Sequence, residues 1–281
     1  MQLLSTFDVA SALIGGTVAL VLVLAIFWPW IERQRAQDAR PGGGLILEVH
    51  RGPGPQPAAT TTAAPARKMA LVIRRGEAPL VVRVATQPYL AEIPDGWAPR
   101  TFMADRAVCE TDESTLQLLP YVVVTDGAGR VLTYRRGRAG GEGRLHDLRS
   151  VGLGGHVDTA PNAYFEGPSL MPHLREEACR ELAEEARLTP MPWELVERGL
   201  IVDPTNPVGR VHLGILMTYQ AHPEEVAQMA YEAGAVDDAR WMTLDELAGP
   251  DELGRLEPWS KIAVGYLQAA MQAEILRESG T

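Results

Sequence analysis

Arg180-Glu181-Leu182-Ala183-Glu184-Glu185 is the most informative passage of this 281-residue chain. The apolar neighbours Leu174, Ala178, Leu182 and Leu188 recur at helical spacing, so a helix is expected over about Pro172–Arg187. On that helix Glu181, Glu184 and Glu185 stand at i, i+3 and i+4 and project from one face. Three anions crowded there repel one another unless a cation neutralises them. Hard oxygen donors grouped in this way suit Mg²⁺ or Mn²⁺, ions that stay partly hydrated and recruit phosphates. A solvated acidic stripe is the competing reading, and the order of the surrounding residues decides between the two.

On either side the pattern is that of a mixed α+β domain from about residue 69 to the end. Leu71–Ile73 and Leu80–Val84 read as short strands around a turn at Gly76. Tyr121–Thr125 and Val131–Tyr134 flank Asp126-Gly127-Ala128-Gly129, a hairpin signal. Ser150–Val157 reads as a glycine-punctuated strand. Leu195–Val202 and Val211–Tyr219 flank a turn at Asp203-Pro204-Thr205-Asn206-Pro207. Further helices are expected over Leu244–Ala248 and Pro258–Leu276, the latter with Ile262, Tyr266, Ala269 and Ile275 near one face.

The N-terminal part differs. Val9 to Ile31 is a run of 23 residues without a charge, long enough to cross the ~30 Å hydrocarbon core as a helix. It closes on Trp28 and Trp30, and Arg33, Arg35 and Arg40 follow, which orients the downstream side toward the cytoplasm. The expectation is a transmembrane anchor over 1–31, a Pro/Gly/Ala-rich linker over 32–68 and a single-pass inner-membrane protein with its domain in the cytoplasm. The alternative is a start codon placed too far upstream, which leaves a soluble cytoplasmic protein.

Composition narrows the function. With 46% hydrophobic residues the chain has a core to bury, and 36 acidic against 26 basic residues give a net charge of -10. That balance argues against a general nucleic-acid binder. Two cysteines, Cys109 and Cys179, are too few for a disulfide framework or a structural zinc site of their own.

Arg-Glu-Leu-x-Glu-Glu, preceded by Gly154-Gly155-His156, resembles the signature of Nudix hydrolases, whose box reads G-x5-E-x7-R-E-U-x-E-E-x-G-U with U a bulky aliphatic. Leu188 fills the last aliphatic position. Pro172 stands where the box has its first Glu, Arg187 replaces the box glycine, and the loop from Val157 to Met171 is longer than the box allows. A bacterial subgroup of Nudix phosphoesterases is similar over a wider span. The likeness there includes Arg144-Leu145-His146, Ser150 to His156, Val208 to Gly214, Gln117 to Tyr121, and Glu257-Pro258-Trp259-Ser260. Ala239-Arg240-Trp241 followed by Asp245-Glu246-Leu247 is similar to the close of many Nudix domains.

The resemblance implies a mixed β-sheet sandwiched by helices. It also implies metal-assisted attack of water on a nucleoside-diphosphate-linked or related pyrophosphate or phosphoester substrate. Glu184 and Glu185 would be principal ligands of Mg²⁺ or Mn²⁺, helped by the Gly155 carbonyl. Glu181 would bind metal or help deprotonate the water, and Arg180 would orient the carboxylates. Glu224, Glu225, Glu232, Asp237 and Asp238 are alternative bases. His156, Arg135 and Arg136 are candidate substrate contacts, with Arg138 in the same basic turn. His146, His156 and His212 fall near the expected site, but a three-histidine zinc centre is disfavoured beside harder oxygen donors. The rival function is a catalytically silent nucleotide sensor using the same cleft. Oligomeric state is left open.

Overall fold

The computed structural model describes residues 67–94, 96, 98–137, 148–160 and 169–278. The chain divides into two compact units, 1–63 and 64–281. The first lies outside the described residues, and with it the expected anchor and almost all of the expected linker. Arg138 and Arg144-Leu145-His146 also lie outside them.

Ten strands are present among the described residues: β1 (Met69–Arg74), β2 (Tyr89–Ala91), β3 (Thr101–Asp105), β4 (Thr115–Thr125), β5 (Val131–Arg136), β6 (Arg149–Ser150), β7 (Gly152–Leu153), β8 (Val196–Val202), β9 (His212–Gln220) and β10 (Val236–Met242). The helices are α1 (Leu80–Arg83), α2 (Arg106–Cys109), α3 (Met171–Ala186), α4 (Pro223–Gln228), α5 (Leu244–Ala248), α6 (Pro250–Arg255) and α7 (Pro258–Glu278). The main sheet runs β10-β5-β4-β9-β8-β2, so it is mixed: β4 and β9 lie parallel, from Gln117 opposite His212 to Thr125 opposite Gln220.

On its other side β4 has several partners in turn. β1 pairs with it at Thr115 to Gln117, β7 at Val122 and Val123, and β5 at Thr125. Pro120 lies in the gap between the first two. It has no N–H to give a neighbouring strand, and the ladder parts there.

The two faces of the sheet follow from the period-2 alternation of the central strands. Val122 and Val124 of β4, with Ile215 and Met217 of β9, join one core that includes Leu174, Ala178, Leu182 and Ala186 of α3. Tyr121 and Val123, with Leu216, join the other, which includes Ala263 and Val264 of α7. The sheet is thus covered by helices on both sides. α3 docks through its i, i+4, i+8 stripe, which is wholly buried, and its opposite face carries the carboxylates.

α7 is fixed by a buried polar knot at its start. Glu257, 1% exposed, accepts hydrogen bonds from Tyr121 Oη (2.9 Å) and Ser150 Oγ (2.7 Å) and pairs with Arg136 Nε (2.8 Å). Ser260 Oγ accepts from the Val151 N–H at 3.0 Å. Several residues set apart by the sequence likeness, Tyr121, Ser150, Glu257 and Ser260, therefore serve one structural tie.

Two sequence expectations are corrected. Leu80–Val84 is not a strand: Leu80–Arg83 forms one helical turn behind Pro79, with only Val82 buried, so the β-branched run has no ladder partner to make it extended. The reading as a single-pass membrane protein is also not supported by the structure. Among the described residues no helix is long and apolar enough to cross a membrane. The longest, α7, has 21 residues but carries Lys261, Glu274 and Arg277, whereas a span needs ~20 consecutive apolar residues.

α3 ends at Arg187, which is left-handed at φ 53° and ψ 31°. Arg187 N–H reaches Ala183 O and Leu188 N–H reaches Leu182 O, both at 3.2 Å, the first being the closing bond of an αL motif. The turn is the one a glycine would favour, made here by an arginine. Arg187→Gly is therefore expected to stabilise the protein by ~0.5–1 kcal/mol in urea unfolding; a loss of stability would contradict this account of the helix end. Glu257→Ala leaves Arg136 and the hydroxyls without their acceptor, and should cost about 3–5 kcal/mol by the same measurement. A negligible loss would show that the knot does not hold α7.

Candidate active site

The acidic face of α3 is organised by Arg180. Its Nε lies 3.0 Å from Glu177 Oε2, one terminal nitrogen 3.0 Å from Glu184 Oε2, and the other 2.7 Å from Glu181 Oε1. The last also donates to the His156 carbonyl at 3.2 Å, tying the helix to the loop after β7. Although burial works against its charge, the surrounding carboxylates, Glu181 foremost, hold the guanidinium above its usual pKa. Glu177 was not singled out from the sequence, but it stands three residues before Arg180, the helical spacing that could have found it. Thr159 Oγ1 donates to it at 2.5 Å.

The bend at Gly154-Gly155 receives the remaining carboxylates. Gly154 has φ 148°, and a Cβ there would strike the Pro120 carbonyl; the parted ladder is where this loop passes. Its N–H donates to Glu185 Oε2 at 2.9 Å. A Cβ on Gly155 would stand 2.7 Å from the Glu181 carboxylate, so only glycine leaves room between bend and helix. Glu181 and Glu185 therefore converge on the bend. Burial raises the Glu181 carboxyl above its ordinary value against the opposing pull of Arg180. Burial also pushes Glu185 up to about 7; the Gly154 N–H opposes this and Glu181 adds to it.

A cavity of about 700 Å³ opens at this bend. Glu181, Glu185, Gly155, Arg180, Arg136 and His156 line it, but Glu184 and Arg135 do not. Glu184 is 57% exposed at the rim, held by Arg180. Arg135 is exposed on β5 and does not reach the cavity, because its neighbour Arg136 takes the inward side of the strand. Arg136 is itself committed to Glu257. Of the alternative bases only Glu232 lines the cavity; its backbone N–H donates to the Glu185 carbonyl at 3.0 Å. Glu225 is taken up by Tyr219 and the His222 N–H, and Asp238 by Arg149 and Arg240. Arg67, Lys68 and Arg106 add positive charge, and Trp259 and Tyr121 stack edge to face at 5.7 Å on the wall.

The histidines assemble differently from the sequence expectation. His156 and His212 approach edge to face, with ring centroids 5.4 Å apart. The third member of the group is Glu110, just past α2, whose Oε1 is 3.4 Å from His156 Nε2 and 3.9 Å from His212 Nε2. The hydrogen bond from His156 holds the Glu110 carboxyl down at about 2. No motif marks Glu110; the pairing of β1 with β3 and β4 carries it there.

No family model matches the chain. It is 37% identical over 164 residues to the protein YmaB of Bacillus subtilis (strain 168), a match covering 58% of this chain and 76% of YmaB. Among solved structures it is similar to Tm1382, a protein assigned to the Nudix hydrolases, with 28% identity, 71% of this chain and 97% of that chain covered, and a TM-score of 0.50. The Nudix domain of Shewanella oneidensis NrtR, solved with ADP ribose, shares 14% identity over 56% of this chain and 88% of its own, with a TM-score of 0.40.

Glu185 makes a pH-dependent prediction for the metal-free protein. Its carboxyl is raised from 4.5 to about 7 in the folded chain, so between those values the folded state keeps a proton that the unfolded state has released. Stability is then highest below the lower value and falls as the pH rises through the upper one. Glu185→Gln removes this loss, so the variant is expected to melt above wild type at about pH 8, with the difference shrinking toward about pH 5. Equal melting temperatures at both pH values would contradict the burial of this charge.

Proposed function

The chain belongs to the family of YmaB and is a Nudix-type pyrophosphohydrolase, and from that premise we propose that it hydrolyses the phosphoanhydride of a nucleotide-like substrate with Mg²⁺ or Mn²⁺ held on α3. The observation that carries this reading is the convergence of Glu181 and Glu185 on the Gly154-Gly155 bend. The residues suit a hard divalent ion: their donors are all oxygen, the glycine leaves a cradle that a side chain would fill, and the buried Glu185 charge lacks a cation of its own.

In this proposal Glu181 and Glu185 hold the ion with the Gly155 carbonyl, and Glu184 joins from the rim. When bound, the ion lowers the pKa of attached water and offsets charge on the scissile phosphate. Arg180 keeps the carboxylates in place and ties the loop to the helix through the His156 carbonyl. Glu232 takes the proton from the attacking water, since it is the one alternative base on the cavity wall. Arg67, Lys68 and Arg106 bind the phosphates, and the aromatic wall of Trp259 and Tyr121 contacts the base.

A panel of nucleotides and nucleoside-diphosphate conjugates, assayed with and without Mg²⁺ or Mn²⁺, tests the proposal and ranks substrates. Glu181→Gln and Glu185→Gln should each lower kcat by at least ~100-fold while the protein stays folded. Undiminished turnover in both variants, or equal turnover in excess chelator, would overturn it.

A further inference from the structure

We infer that Glu110, His156 and His212 form a second metal site, suited to a borderline ion such as Zn²⁺, in the wall of the same cavity as the all-oxygen set on α3. Three segments remote in sequence deliver these groups: the end of α2, the residue after the glycine bend, and the first residue of β9. Their ligating atoms all lie within 4.8 Å of one another. A four-coordinate zinc ion with bonds of about 2.0–2.1 Å places its ligand atoms roughly 3.4 Å apart. The Glu110–His156 separation is 3.4 Å and the Glu110–His212 separation 3.9 Å, so small side-chain rotations close the set.

The hydrogen bonds around His212 favour ligation. Its Nδ1 lies 2.8 Å from the Val208 carbonyl, which can only accept, so Nδ1 carries the proton and the Nε2 lone pair accepts from the Gln117 amide, with Glu110 Oε1 3.9 Å away. A backbone carbonyl that fixes the tautomer of a ligating imidazole is the usual support of such a site. The register of β4 against β9 places Gln117 directly opposite His212. Gln117 is 0% exposed; its Nε2 is 3.0 Å from His212 Nε2, while its Oε1 has no hydrogen-bond partner.

A buried amide oxygen left without a donor costs free energy. Turning that amide over exchanges its two ends and puts the oxygen beside the same lone pair, which a cation between them would reward and a bare imidazole would not. Arg106 Nε contacts the same Glu110 oxygen at 3.4 Å, a long contact that the ion replaces. Two imidazoles and one carboxylate, with a further position open to the cavity, are the donor set of a zinc-type ion, whereas Mg²⁺ prefers the oxygens of α3.

The test is a titration of the chelator-treated full-length protein with Zn²⁺, and separately with Co²⁺, in excess Mg²⁺. One equivalent is expected to bind despite the Mg²⁺, and bound Co²⁺ should show the intense visible bands of a four-coordinate ion with nitrogen ligands. His156→Ala combined with His212→Ala should weaken Zn²⁺ binding by at least ~100-fold, while Glu181→Gln combined with Glu185→Gln should leave it in place. If the double histidine variant does not fold, Glu110→Gln, on the partly exposed side of the site, is expected to lose the four-coordinate Co²⁺ spectrum while keeping the wild-type circular dichroism. Zn²⁺ uptake unaffected by loss of these three residues, a weak six-coordinate Co²⁺ spectrum, or no uptake that resists Mg²⁺ would each overturn the inference.

Discussion

The guanidinium of Arg180 is the constraint around which the candidate site is arranged. Within one turn of helix it compensates Glu177, Glu181 and Glu184, anions that would otherwise repel and fray α3. The same group holds the His156 carbonyl, so neutralising the helix also positions the loop that faces it. Glu185 is outside its reach. Burial works against the Glu185 charge and Glu181 and Glu232 add to that, while the Gly154 N–H and Arg136 favour it without restoring the ordinary carboxylate value. A divalent ion at the bend would supply what one arginine cannot.

The cavity beside this helix comes from a defect placed in the middle of the sheet. Pro120 interrupts the edge of β4 between β1 and β7, and the glycine bend enters through the gap, close to the Pro120 carbonyl. Two kinds of donor then face one space: carboxylates from α3, and imidazoles from the bend and from β9. Basic residues at Arg67, Lys68 and Arg106 complete a wall suited to phosphates.

Much of the fold was legible because it is written in local patterns. The stripe of Leu174, Ala178 and Leu182 announced α3 and its buried side, and the β-rich run Tyr121–Thr125 before the Asp126–Gly129 turn announced the second half of β4. The departures from the family box were legible but their consequences were not. Arg187 makes the left-handed turn expected of glycine, and Glu177, three residues before Arg180, pairs with its guanidinium although the box marks no residue there. Leu80–Val84 misled because β-branched composition reports a preference for extended backbone, while a strand also needs a partner.

What the sequence alone determined is the acidic helix and the glycine bend, since each depends on spacings of a few residues; the helix–sheet–helix layering followed from the resemblance those residues carry. What only the tertiary structure decided is the company those residues keep. Glu110 meets His156 and His212, Gln117 faces His212, and Arg136 turns to Glu257 rather than to a ligand, because strand order and register bring distant segments together. Periodicity along a chain fixes which way a side chain points; it carries no information about what waits across the gap.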